Sequence, residues 1–155
     1  MISFFSVLQE DEQKVMFRIP VLISIMIAGA DDKFEKREIS QAVSLAKNRL
    51  SNSREILNDY YKIAGDNFEE KLSDEIDSLP SKAAKRNPVI IAELEKLNNI
   101  LPKLDKTFAI QFYESMKDFA KQIATSSGGF FGYLTIHPHE QKLLDLKMIR
   151  DPAKR

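Results

Sequence analysis

Apolar residues recur along this chain at helical spacing almost from end to end. Ile39, Ala42, Val43, Ala46 and Leu50 follow i, i+3, i+4, i+7, i+11, and Leu57, Tyr60, Tyr61 and Ala64 repeat the spacing. Further stripes are Phe68, Leu72, Ile76 and Leu79, then Ile90, Leu94, Leu97 and Leu101, then Phe108, Phe112, Phe119 and Ile123. Each is one face of an amphipathic helix, and no segment sustains the period of two that a half-buried strand needs. The pattern predicts helices over 2–8, 10–29, 35–51, 53–64, 67–79, 88–101, 103–126 and 138–149, about seven if the short first piece is left out. The fold class is therefore all-α, an irregular helical bundle. The breaks fall at Gly65-Asp66, Leu79-Pro80, Asn87-Pro88, Leu101-Pro102 and Ser126 to Leu134, because a residue before proline resists helical geometry and glycine ends helices. Segment 80–87 reads as a mobile loop and Asp151 to Arg155 as a solvated tail behind a single domain over 1–150.

The exception to amphipathicity is Ile19 to Ala30, apolar on all sides and interrupted by Pro20 and Ser24. A bilayer span takes about 20 apolar residues, so this run of 12 is read as the buried central helix of the bundle. Pro20 either kinks that helix or marks its first turn. The N-terminus lacks the basic and apolar regions of a secretory signal.

Composition removes several chemistries. The 155 residues include no cysteine, which excludes disulfides, thiolate metal sites and a cysteine nucleophile and fits a cytoplasmic setting. Lys plus Arg and Asp plus Glu number 23 each, so no global field draws the chain to nucleic acid. The basic residues Lys82, Lys85 and Arg86 are too few for a nucleic-acid stripe. His137 and His139 lie two apart at a helix start, so they do not share a face and read as neither a zinc site nor a general base. The glycines of "SSGGFFG" follow a helix without P-loop spacing and serve a turn. Phe130, Phe131 and Tyr133 within and after that turn are a core plug or, if exposed, a partner or membrane-surface site.

One short stretch, "AGADDKFEKRE" over 28–38, has two readings. In the first it is a helix N-terminus. Glu35 and Glu38 stand as in a capping box, Phe34 and Ile39 as a hydrophobic staple, and the acids favour the positive end of the helix dipole. In the second, Asp31, Asp32, Glu35 and Glu38 converge on a hard divalent cation such as calcium, magnesium or manganese. Lys33, Lys36 and Arg37 can neutralise the same acids, and the spacing is not that of an EF-hand.

The segment "IMIAGADDKFEKRE" is echoed by "IATSSGGFFGYLTIHPHE". Each passes from an apolar helix through small residues to an apolar residue and a helix start with a following glutamate. Phe34, Glu35 and Glu38 correspond to Ile136, His137 and Glu140. Together the two segments resemble the tellurite-resistance TerB-like family, over about residues 10–50 and 103–149. Asp31 and Glu38 match the family's loop motif, Glu35 takes its capping position, and Asp32 stands where the family usually has glycine. The resemblance implies a compact all-helical protein of two related helix–loop–helix halves. It also implies an intracellular, non-enzymatic protein tied to stress or metal-ion systems, with a divalent-cation role for the loop acids. The functional expectation is a binding or adaptor protein with protein partners. The alternative is a peripheral membrane-associated protein using Phe4, Phe5 or the Phe130–Tyr133 loop. An enzyme is the third class, and no catalytic residues are assigned.

Overall fold

A computed structural model describes residues 3–28, 43–44, 46–48, 54–127 and 143–154. Among these residues the fold is all-α, with no strand. Six α-helices are described: α1 Glu10–Ala28, α2 Asn58–Ala64, α3 Phe68–Ser78, α4 Ala83–Glu95, α5 Leu97–Ile100 and α6 Lys106–Ser127. Short 3₁₀ turns cover Ser3–Val7, Glu55–Leu57, Leu101–Lys103 and Pro152–Lys154. The helix expected over 35–51 lies largely outside the described residues. Val43, Ser44, Ala46, Lys47 and Asn48 are helical, with Val43 and Ala46 buried.

α1 is the axis of the molecule. Every residue from Ile19 to Ala28 is buried, and α1 packs against all five other described helices. A helix apolar on every side can be satisfied only by being surrounded. Its start is fixed by polar chemistry. The Gln9 N–H donates to Glu12 Oε1 at 2.9 Å, the reach-back half of a capping box, and Glu10, Asp11 and Glu12 fill the first turn. Lys103 Nζ donates to Glu12 Oε2 at 2.7 Å and, with the Gln9 bond, holds the Glu12 carboxyl below its ordinary range.

Pro20 sits inside α1 and the helix runs through it. Proline has no N–H, so the carbonyl of Met16 loses its helical partner. The Tyr60 hydroxyl, on α2, supplies the missing donor to Met16 O at 2.6 Å. Ser24 Oγ in turn donates to Pro20 O at 2.8 Å, which satisfies this buried hydroxyl. Tyr60 is also the hub of an aromatic cluster: Phe17 stacks on it at 5.7 Å, and Phe112 meets it edge-on at 5.2 Å.

α6 starts where the sequence offers a cap. Asp105 Oδ2 accepts from the Phe108 N–H at 3.0 Å. Its stripe of Phe108, Phe112, Phe119 and Ile123 is buried as the spacing predicts.

Three expectations change. Segment 80–87 is not a loop throughout, because α4 begins at Ala83 and passes through Pro88. Pro88 lies early in the helix and forfeits only the bond to Ala84 O, while Lys85 and Arg86 N–H already close on Lys82 O. Arg86 is buried and donates to Ser81 O at 3.2 Å, which anchors this added turn. At the other end, the helix expected over 138–149 gives way after Leu143 and Leu144 to turns, with Leu146 at a positive φ of 50°. The expected solvated tail carries a 3₁₀ turn with Pro152 buried against α6.

Candidate functional site

Asp31, Asp32, Glu35 and Glu38 lie outside the described residues, as do His137, His139, Phe130, Phe131 and Tyr133. Among the described residues no group of three or more His, Asp or Glu side chains is placed to hold a metal ion. No described helix is long and apolar enough to cross a membrane. Phe4 and Phe5, named as exposed anchors in the membrane-surface alternative, turn inward. Phe5 is buried, Phe4 packs against the core, and their rings lie 5.6 and 5.1 Å from that of Phe108. A 3₁₀ turn at Ser3–Val7 drives both rings into the core, and Gln13 Nε2 secures it by donating to Phe5 O at 3.1 Å.

The described surface is organised around Arg18. It is the only charged residue between Val15 and Ala28, set on the one edge of α1 that reaches solvent. Its guanidinium grips Glu75 of α3 with two bonds, Nε to Oε1 at 2.7 Å and Nη2 to Oε2 at 3.2 Å. Nη1 reaches Glu93 Oε2 of α4 at 3.1 Å, and Lys96 Nζ closes on Glu93 Oε1 at 2.8 Å. The Glu75 hydrogen bonds raise the Arg18 pKa above its ordinary value, against the opposing effect of partial burial. The planar fork suits this task, since it binds one carboxylate bidentately and keeps a donor for the second.

Arg18 → Ala should destabilise by about 1 kcal/mol, because solvent screens a cation 39% exposed even in a well-aligned network. Arg18 → Lys should recover only part of this, since one ammonium cannot reproduce the fork. Urea titration of the two variants distinguishes this outcome from a purely Coulombic pair, for which lysine would restore wild-type stability.

Beside this network runs an open groove of about 540 Å³ between α1 and α3. α1 contributes Lys14, Phe17, Arg18 and Val21, and α3 contributes Lys71, Asp74, Glu75 and Ser78. Both sets follow i, i+3, i+4, i+7, so two helical edges face one another across the groove. Phe17 and Val21 form an apolar floor. Lys14, Lys71 and Asp74 supply a rim of mixed charge, and the Arg18–Glu75 pair bridges the walls. A second depression of about 400 Å³ lies on the other side of Arg18, bounded by Asp11, Glu12, Glu93 and Lys96. The sequence stripes pointed at the core and left these outward edges unread. Their one signal was Arg18, a solitary charge in an apolar run.

Compared with protein-family models, curated proteins and solved structures, the chain matches none.

Proposed function

We propose that this chain is a non-enzymatic binding or adaptor protein of the TerB-like kind, with a divalent cation as its input and a protein partner as its output. The observation that supports this reading is the position of α1. The helix is described as far as Ala28, three positions before Asp31 in the sequence and close to Asp32, Glu35 and Glu38, and it also builds one wall of the α1/α3 groove. One buried element thus runs from the acidic segment to an apolar-floored surface cleft. The groove has the form that accepts a helix edge or a peptide, with an apolar floor and an ion-paired rim. In this reading α1 and α6, which pack on one another, head the two related helix–loop–helix halves.

The test uses the absence of cysteine. A Ser78 → Cys variant carries one thiol, on the groove wall, for an environment-sensitive fluorophore. Saturating calcium, magnesium or manganese should raise the melting temperature, with a gain of about 2.7 kcal/mol at a hundredfold excess over Kd. The same cation should change the emission of the groove label. Asp31 → Asn should abolish both responses. A flat melting temperature and unchanged emission with all three cations would overturn the reading and leave 28–38 as a helix N-terminus.

A further inference from the structure

α4 shares the apolar character of α1 without its enclosure. From Asn87 to Ala92 it carries no charge, and Ile90 on its inner side is 0% exposed. A helix apolar on every side is normally surrounded, as α1 is. The main packing partners of α4 among the described helices are α1 and α5, and its outer side is open. Pro88, Val89 and Ala92 are exposed there, Val89 by 44%. At 3.6 residues per turn, the side opposite Ile90 carries Lys85, Pro88, Ala92 and Glu95 within an arc of about 80°. None of these residues lines the α1/α3 groove.

The charges on this side oppose the helix that carries them. Acids suit the N-terminus of a helix and bases its C-terminus, and both α1 and α3 open with acids. α4 has no acid in its first turn and no base in its last. Lys85 stands in the first turn and Glu95 in the last, both exposed. Among the described residues neither joins an ion pair, and Lys96 just beyond the helix is held by Glu93. The arrangement is symmetrical about Ile90. Lys85 and Glu95 lie five positions to either side of it, and Pro88 and Ala92 lie two. A second copy of α4 laid antiparallel therefore meets the first in register. Each Lys85 reaches the partner's Glu95, each Pro88 faces the partner's Ala92, and the two Val89 side chains meet beside the two-fold axis.

We propose that the outer face of α4 is a self-association surface, through which two copies of this chain pair about a two-fold axis. Such an interface is isologous, so the charge pair forms twice. A helix of 13 residues is about 20 Å long and covers less than the ~800 Å² per partner of a standard interface. The dimer is accordingly weak and is populated only at high protein concentration.

Sedimentation equilibrium of the full chain, from micromolar to millimolar concentration, is the test. Wild type should shift from monomer toward dimer, and added salt should weaken the shift. Lys85 → Glu and Glu95 → Lys each set like charges against one another twice. Each should raise the dimer dissociation constant at least about tenfold. Neither should lower the melting temperature of the dilute monomer, because each supplies the sign of charge that its end of the helix favours. An equimolar mixture of the two variants should recover association, since opposite charges then face one another at both ends. Wild type that stays monomeric at millimolar concentration would overturn the proposal. So would a dimer that both variants leave intact, which places the interface elsewhere, or a mixture no more associated than its components.

Discussion

Replacing Ile25 by aspartate should unfold the protein. Ile25 is 0% exposed, in the part of α1 where every neighbouring position is also buried. Among the described residues none of the charged pairs along α1 extends past Arg18, so an introduced carboxylate has none of these cations as a partner. It must either remain charged without a partner or take up a proton, and both are costly. An unpaired buried charge costs about 3–5 kcal/mol, a large share of the 5–15 kcal/mol that holds a domain together. Far-ultraviolet circular dichroism at neutral pH should show lost helix, or a urea midpoint far below wild type. Near-native stability would mean that this face of α1 is open to solvent.

Tyr60 → Ala should be the next most damaging change, at about 3–5 kcal/mol for an aromatic ring removed from a packed core. Two losses contribute, and Tyr60 → Phe separates them. Phenylalanine keeps the contacts with Phe17 and Phe112 but leaves the Met16 carbonyl, already deprived of its helical partner by Pro20, without the Tyr60 donor. An orphaned buried acceptor costs about 1–3 kcal/mol. Tyr60 → Phe should therefore fall by that amount, and Pro20 → Ala in the same background should restore part of it by returning an N–H to the helix. If Tyr60 → Phe matches wild type in urea, the hydroxyl is not stabilising the Met16 carbonyl.

The same residue sets an alkaline limit. Burial raises the Tyr60 pKa well above the ordinary 10.0, so the folded state holds its proton more tightly than the unfolded state does. Its contribution is fully present below the unfolded pKa and is lost as the pH rises from there through the folded pKa. Stability should begin to fall above about pH 10, and Tyr60 → Phe should flatten that decline.

What could be read in advance follows from what each signal depends on. Apolar spacing is local, so α1, α3 and α6 were legible to within a few residues, and the all-apolar stretch after Arg18 announced its burial. The start of α4 was misjudged because Asn87-Pro88 was read as a boundary. Early in a helix, proline forfeits one bond and the turn before it can still form, here around the buried Arg86. The Arg18 network was illegible for a different reason. Its partners Glu75 and Glu93 lie 57 and 75 residues away, and only the bundle's packing brings them together. The donor for Met16 O was equally hidden. Pro20 shows that a carbonyl needs a partner, while nothing local says that Tyr60 provides it. The acidic segment was legible as a helix start or a cation loop, and Asp31, Asp32, Glu35 and Glu38 lie outside the described residues.

The central position of α1 also bears on the protein's synthesis. α1 leaves the ribosome before every described helix it packs against, and one of them, α6, ends at Ser127, 99 residues after Ala28 (127 − 28). At about 5–20 residues per second, the nascent chain spends roughly 5–20 s with its most apolar helix only partly covered. Until α6 is made, the hydrocarbon of Ile19 to Ala28 stays partly open to any other apolar surface the nascent chain meets.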